Sequence, residues 1–279
     1  MSQGVKYMVF ASLLYAGMNW CIKYVGEIPA TEVVFFRSLV TLSISWVVIK
    51  RKKLNPFGTH KKLLILRGIF GFIGLTLYIY TVQRMSLASA VTLQYLSPIF
   101  TTIIAVFVLK QNVKWLQWLF FAAAFGGVFL IKGFDPTVNL WLMLVGITGA
   151  IGAALAYNTI GMLKGKEDPI VIVFYFPFIT IPIAGVYLLF NWVTPTWFEV
   201  GMLLLAGVFA QYAQVFMTKA YQMDNVANVS LLTYLGVIWA LLIGFFEFSE
   251  VYTAPALIGM GIIVLSIISN IIFKSKVQS

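Results

Sequence analysis

Charged residues are scarce in this sequence. Only 10% of its 279 residues are Asp, Glu, Lys or Arg, whereas 61% are hydrophobic and the mean hydropathy is +0.95. A water-soluble domain typically carries about 25% charged residues, and this chain has too few polar side chains to cover a surface that faces water. The composition therefore excludes a soluble protein and predicts an integral membrane protein.

Cysteine and histidine are nearly absent. Cys21 is the only cysteine and His60 is the only histidine, so the chain can form neither an internal disulfide nor a Cys/His zinc site. HExxH and GxSxG motifs and paired intramembrane aspartates are also lacking, so we expect no intramembrane enzyme and no catalytic residue. Without a GxxxxGK[ST] loop, ATP hydrolysis is not expected. The sequence thus predicts no metal site and no cofactor.

Hydrophobic residues are grouped into ten continuous runs. A helix needs about 20 residues to cross the ~30 Å hydrocarbon core, and continuous runs favour helices over the alternating strands of a barrel. The runs cover residues 4–22, 31–49, 63–82, 87–109, 115–131, 140–163, 170–190, 198–221, 226–246 and 254–273. We therefore predict an all-α membrane protein with ten transmembrane helices.

Basic residues mark the orientation of these helices. The connection after the second run is the most basic in the chain, with Lys50, Arg51, Lys52, Lys53, His60, Lys61 and Lys62. Lys and Arg concentrate in cytoplasmic loops, so both termini are predicted to be cytoplasmic and the protein to lie in the inner membrane. Because the net charge of +10 resides mostly in such loops, nucleic acid is not an expected partner.

The two halves of the sequence match each other without a gap in one alignment, which we call the repeat alignment and which places Asn19 on Asn158. It also pairs Pro56 with Pro195, Gln83 with Gln222, and Tyr95 with Tyr234. General hydrophobicity does not explain these polar and proline matches. We predict two repeats, residues 1–135 and 136–279, of five helices each. An odd number of crossings inverts the second repeat, and inverted repeats place the substrate between the halves near the bilayer midplane.

Several segments resemble the EamA-type proteins of the drug/metabolite transporter superfamily. They are Phe35-Phe36-Arg37, Arg67-Gly68-x-x-Gly71-x-x-Gly74, residues 90–98 with Tyr95-Leu96-Ser97-Pro98, residues 227–236 and residues 247–250. The resemblance covers essentially the whole chain and implies that spans one to four and six to nine line a central cavity. The sequence departs from the family pattern at Lys110-Gln111, where members usually have Gly-Glu, and at Gly236-Val237, where they usually have Pro.

The repeat and the resemblance together predict a secondary transporter that moves a small organic metabolite by alternating access around a midplane site. Arg37 would make the cavity positive, which favours a solute with a carboxylate or phosphate, such as an amino acid. The Arg67-Gly68 pattern is similar to the branch that includes S-adenosylmethionine carriers. A channel or lipid flippase is the alternative. Further expected partners are membrane lipids and a coupling proton or exchanged solute, with the chain acting as a monomer or homodimer.

Ten polar or aromatic residues within the predicted spans are candidates for binding the substrate. They are Asn19, Arg37, Tyr80, Gln94, Tyr95, Asn158, Gln211, Gln214, Tyr234 and Trp239. Arg37 has two open interpretations. It either anchors an anionic group of the substrate, or it is a structural arginine that snorkels outward or bonds to backbone carbonyls, with Glu27 or Glu32 nearby as its counter-ion. Asn19 and Asn158 either bind substrate or join neighbouring helices.

Small residues and prolines also carry structural predictions. Glycines recur every third residue at Gly68, Gly71 and Gly74 and at Gly146, Gly149 and Gly152, a pattern typical of closely packed membrane helices. Pro98, Pro177 and Pro182 lie inside predicted spans, where the missing amide hydrogen is expected to kink the helix. We assign no ligand to either group.

Overall fold

The protein is a bundle of α-helices. The structure is a computed structural model that describes residues 3–97, 99–101, 103–104, 115–163, 165–223 and 235–278. Within these ranges there are ten helices and no β-strand. The helices are α1 (Gln3–Tyr24), α2 (Ala30–Lys52), α3 (Lys61–Arg84), α4 (Leu87–Gln94), α5 (Trp115–Phe134), α6 (Leu140–Leu163), α7 (Pro169–Asn191), α8 (Trp197–Met223), α9 (Leu235–Phe248) and α10 (Ala254–Gln278).

Helix length and composition are those of a multi-pass membrane protein. Five helices, α2, α3, α6, α7 and α8, are long and apolar enough to cross a membrane. Shorter apolar stretches lie in α5, α9 and α10, at Trp118–Ile131, Leu235–Phe248 and Ala254–Asn270. Nine of the ten predicted runs begin within two residues of a helix start. The predicted start of the ninth run, at residue 226, lies outside the described residues.

The fourth predicted span, residues 87–109, is interrupted and needs correction. Helix α4 ends at Gln94, and the Leu96 amide donates to the Leu93 carbonyl (3.0 Å) in a tighter turn. Helical backbone resumes at residue 97. The physical reason lies in the sequence, because a proline at position 98 has no amide hydrogen to donate to the carbonyl of residue 94. By contrast, α7 continues from Pro169 to Asn191 through both of its internal prolines.

Helix packing joins the first half of the chain to the second. Helix α1 packs along α8, α3 along α6, α2 along α7, α5 along α10, and α4 along α9. The repeat alignment maps α1 to α6, α2 to α7, α3 to α8 and α5 to α10, whereas it maps α4 onto residues 226–233, which lie outside the described residues. Under this mapping the α1–α8 and α3–α6 pairs exchange places, and the α2–α7 and α5–α10 pairs join corresponding helices.

The repeat alignment also relates two glycine contacts to each other. Gly68 on α3 lies against Ile179 on α7, and a Cβ added at Gly68 would stand 2.7 Å from the Ile179 Cβ. Gly207 on α8 lies against Val40 on α2, with a corresponding distance of 2.8 Å. The repeat alignment converts one contact into the other. Any larger residue at either glycine would push the helices apart.

The predicted close packing of the glycine series is confirmed between α3 and α6. A Cβ at Gly74 would stand 2.6 Å from the Ala153 amide nitrogen, and one at Gly152 would stand 2.9 Å from the Gly74 Cα. At these positions backbone meets backbone, so no side chain could move aside. The α3–α6 pair therefore forms a tightly packed wall beside the centre of the bundle.

Candidate functional site

Two arginines and one phenylalanine meet in the interior of the helix bundle. Arg37 lies seven residues into α2, Arg67 six residues into α3, and Phe176 seven residues into α7, each about 10 Å along its helix at 1.5 Å per residue. The guanidinium carbon of Arg37 is 6.0 Å from the centre of the Phe176 ring, and that of Arg67 is 5.4 Å from it. Both halves of the chain thus contribute to this cluster.

Gly71 makes room for the Arg67 guanidinium. A Cβ at Gly71 would collide with Nη1 of Arg67 and would stand 2.8 Å from Cδ2 of Phe176. Because Gly71 is one turn after Arg67 on α3, the arginine side chain runs along the helix surface toward the bundle interior. The glycine spacing in this segment therefore serves helix packing at Gly68 and Gly74 and side-chain placement at Gly71.

The guanidinium groups of this cluster have donors without acceptors. Arg37 is only 4% exposed, and its Nε and Nη1 have no hydrogen-bond partner among the described residues, nor has Nε of Arg67. A cation over an aromatic ring gains about 0.5–2 kcal/mol. The cost of burying an ion is several kcal/mol, so Phe176 alone does not compensate either charge.

The prediction that Glu27 or Glu32 neutralises Arg37 is wrong. Among the described residues, the ion pairs are Lys23–Glu250, Lys52–Asp168 and His60–Glu167. Glu32 is fully buried and accepts a hydrogen bond from the Val193 amide (3.2 Å). It precedes Arg37 by five residues, whereas side chains share a helix face when they are three or four residues apart.

Tyrosines surround the two arginines. Tyr15, Tyr78 and Tyr157 lie within electrostatic range of Arg37, and no Asp or Glu does so among the groups that act on either arginine. The Tyr78 hydroxyl donates to Oδ1 of Asn19 (3.0 Å). Tyr157 lies six residues before the end of α6 and is 46% exposed. We call Arg37, Arg67 and Phe176 the arginine cluster.

Asn158, Gln211 and Trp239, three of the predicted site residues, bond neighbouring segments together. The Asn158 amide donates to the carbonyls of Thr101 (3.2 Å) and Ala154 (3.0 Å), and the Trp239 indole donates to the Ser12 hydroxyl (3.2 Å). Gln211 is 1% exposed, and its amide nitrogen is 3.5 Å from the Ser45 hydroxyl. These contacts favour the helix-joining interpretation, as does the bond between Asn19 and Tyr78.

The other predicted residues are spread over the bundle. The Tyr80 ring is covered by Arg84, whose guanidinium carbon is 3.9 Å from the ring centre. The Tyr95 hydroxyl touches Gly236 on α9. Gln94, at the end of α4, and Gln214, on α8, are half-buried. Tyr234 lies outside the described residues. Of the ten predicted residues, Arg37 belongs to the arginine cluster and Asn19 is linked to it through Tyr78.

Sequence reasoning missed Arg67, Tyr78 and Phe176 as site residues. A signal was present for Arg67, because an ionisable residue within a membrane helix is a functional candidate by the same argument that singled out Arg37. Tyr78 lies within α3, where a tyrosine is a common residue. Phe176 lies in an apolar run, and nothing in a single sequence distinguishes it from the other phenylalanines.

Carboxylates form two networks at the ends of the helices. In the Glu250 network, Glu250 accepts from the Leu87 amide (2.8 Å) and the Tyr252 hydroxyl (2.7 Å) and pairs with Lys23 (2.9 Å). Burial and this hydrogen bond raise the pKa of Tyr252. Nearby, Asp135 accepts from Ser89, Thr137 and Ser86, and although burial opposes them these bonds lower the pKa of Asp135.

The Glu167 network joins the connection before α3 to the connection before α7. Glu167 accepts from the amides of Thr59 and His60 (both 2.6 Å) and from the Thr59 hydroxyl (2.7 Å). Burial opposes ionisation, but these bonds lower the pKa of Glu167 to about 2. Both networks join the two halves of the chain, and each satisfies amides next to a helix N-terminus, which have no partner within the helix.

Comparisons with known sequences find proteins that are named as transporters. Residues 2–133 match the EamA-like transporter family. The chain is 28% identical over 272 residues to the pseudopaline exporter CntI of Pseudomonas aeruginosa, covering 96% of each protein. It is 26% identical over 291 residues to the S-adenosylmethionine uptake transporter of Rickettsia felis, covering 99% of this chain and 95% of the relative. A crystal structure with 13% identity and a TM-score of 0.67 aligns over 99% of both chains, which supports the fold alone.

Proposed function

The chain belongs to the EamA-like transporter family, and from this premise we propose that it is a secondary carrier for a small organic metabolite. Its relatives include an exporter and an uptake transporter, so their names support transport without a direction. The proposed mechanism is alternating access around the arginine cluster. The solute would reach this cluster from one side of the membrane and leave toward the other.

Two inverted repeats, residues 1–135 and 136–279, would provide this movement. The exchanged contacts Gly68–Ile179 and Gly207–Val40 support a two-fold relation between the halves. With five crossings in each half, the second repeat has the opposite polarity. The arginine cluster lies where corresponding helices α2 and α7 pack together, and the repeat alignment maps Arg37 onto Phe176. In transporters built from inverted repeats, the substrate site lies where the two repeats meet.

The observation that carries the proposal is the buried guanidinium of Arg37 between the two halves, whose Nε and Nη1 have no hydrogen-bond partner among the described residues. A buried cation without a counter-ion is costly, and the cost is removed when an anionic group binds. Arg binds carboxylate and phosphate with two parallel hydrogen bonds. We therefore propose that the solute carries such a group and that Arg37 anchors it.

The proposed location is the inner membrane, with both termini in the cytoplasm. The basic connection between α2 and α3 supports this orientation, which places the Glu167 network on the cytoplasmic side and the Glu250 network on the outer side. A coupled proton or an exchanged solute would drive transport. The protein would act as a monomer or a homodimer.

Transport by purified protein in liposomes tests the proposal. We expect uptake of an organic anion from a metabolite panel to saturate and to be accelerated by the same solute inside the vesicles. Arg37→Met should reduce the initial rate at least about tenfold, because a buried charge pair is lost. Arg51→Met provides the matched control, since Arg51 is exposed at the end of the same helix, and it should transport normally. Flux that does not saturate, or lipid scrambling alone, would contradict a carrier.

A further inference from the structure

The central site contains a second positive charge that the proposed function does not require. Arg67 faces the same ring as Arg37, and the distances of 5.4 Å and 6.0 Å to the Phe176 centre place the two guanidinium carbons at most about 11 Å apart. The two like charges repel each other. Helix packing alone gives no reason to hold two cations on one ring.

Arg67 is held in this position by its surroundings. The space above Gly71 receives Nη1 of Arg67, and a Cβ at that glycine would fill it. The neighbouring Gly74 fixes α3 against α6 through backbone contact, which limits how far α3 can move away. The arginine therefore reaches inward from a rigid part of the bundle.

Neutralising groups for the pair are missing from the described part of the chain. The groups that act on Arg37 or Arg67 are each other and the tyrosines Tyr15, Tyr78 and Tyr157. Glu250 and Glu167 are bonded in their own networks, Glu32 lies five residues from Arg37 and bonds the Val193 amide, and the ion pairs among the described residues contain no arginine. Within the described part of the chain, the two arginines therefore carry two positive charges that no carboxylate neutralises.

We propose that Arg37 and Arg67 together bind two negative charges on one solute, carried either by two carboxylates or by one phosphate monoester. This inference rests on the proposed carrier function, which supplies the route into the site. A dianion neutralises both arginines, whereas a monoanion leaves one positive charge without a partner. The site therefore favours a dianion. A solute whose only charge is positive finds no carboxylate in the cluster and is rejected.

Calorimetric titration of the purified protein with glutarate and its monoamide, glutaramate, tests the charge requirement. The two probes have nearly the same size, but glutaramate carries one negative charge. We expect glutarate to bind at least about tenfold more tightly than glutaramate, because the second charge pairs with a buried arginine. Equal affinities for glutarate and glutaramate, or no heat at millimolar concentration from glutarate and from glycerol 3-phosphate alike, would overturn the proposal.

Variants of the protein test whether Arg67 binds the second negative charge of the solute. Arg67→Met should weaken glutarate binding at least about tenfold and bring it close to that of glutaramate, whereas Arg51→Met should leave both affinities unchanged. Normal glutarate binding by Arg67→Met would overturn the assignment. Thermal melting of each variant without ligand identifies one that has failed to fold, in which case Arg67→Lys, which keeps the charge but loses the bidentate geometry, replaces it and should retain part of the preference.

A third probe distinguishes a dicarboxylate from a phosphate monoester. Glycerol 3-phosphate carries both charges on one group, and its binding in place of glutarate would assign the site to phosphate monoesters. Saturable flux of a monoanion together with no dianion preference would refute this inference and leave the carrier function intact. Dianion binding without any saturable flux would refute the carrier and leave the binding site.

Discussion

The carboxylates of the Glu167 and Glu250 networks, at the helix ends, accept several hydrogen bonds, whereas the arginines at the centre have donors without acceptors among the described residues. Glu167 accepts three hydrogen bonds from Thr59 and His60, and Glu250 accepts from Leu87 and Tyr252 while it pairs with Lys23. Arg37 and Arg67, by contrast, retain donors without acceptors among the described residues. The carboxylates and the arginines all contact residues of the other half of the chain. Their different bonding therefore does not arise because one group lies between the halves and the other does not.

We propose that this difference separates structural polar groups from functional ones. A satisfied carboxylate at a helix N-terminus stabilises the fold, since it bonds free amides and favours the positive end of the helix dipole. An unsatisfied buried cation destabilises the empty protein. Proteins keep such groups at sites where a ligand supplies the missing partner. Substitutions at the ends and at the centre should therefore have opposite effects on stability.

The largest effect on stability is expected at the Glu250 network. Glu250→Gln removes the charge that faces Lys23, whose side chain is only 16% exposed, and should lower the free energy of unfolding by about 2 kcal/mol. Thermal melting in detergent measures this. Glu199→Gln is the control, because the hydrogen bonds of Glu199 to described residues are those to Thr196 within its own turn. Equal melting temperatures for the two variants would show that the network is not structural.

A smaller effect of opposite sign is expected at the centre. Arg37→Met replaces an unpaired buried cation with an apolar side chain of similar length and should raise the stability of the ligand-free protein by about 1 kcal/mol. The same melting experiment applies. A loss of more than about 1 kcal/mol would mean that Arg37 has a structural partner after all, and the contrast between centre and ends would disappear.

The smallest effect is expected for Glu167 and depends on pH. Because its pKa in the folded protein is about 2, below the ordinary value of 4.5, Glu167 stabilises the fold above pH 4.5 and loses this contribution as the pH falls toward 2. Wild-type stability should therefore decrease between pH 5 and 3 more steeply than that of Glu167→Gln. Parallel curves for the two proteins would contradict the assigned hydrogen bonds.

Much of the fold was predictable because membrane helices must satisfy their backbone internally, and their apolar length is visible in the sequence. The start of α3 or α8 could be placed within two residues for this reason. A kink was predicted at Pro98, which lies outside the described residues, but the end of α4 at Gln94 was not predicted; a proline removes the hydrogen bond to the residue four positions earlier.

The site was less predictable because it depends on contacts between distant residues. Arg37 was singled out by its charge, but its partner Phe176 lies in the other half of the chain and has no distinguishing chemistry. Asn158 and Trp239 were candidates for binding the substrate, and a sequence does not say whether a neighbouring helix or a ligand supplies the hydrogen-bond partner. The structure supplies helix partners for both.

An experimental structure with a transported solute bound would test the central claim most directly. We predict that an anionic group of the solute lies within about 3 Å of Nε of Arg37 and that a second negative charge faces Arg67. A solute bound elsewhere, with both guanidinium groups still lacking acceptors, would contradict the account.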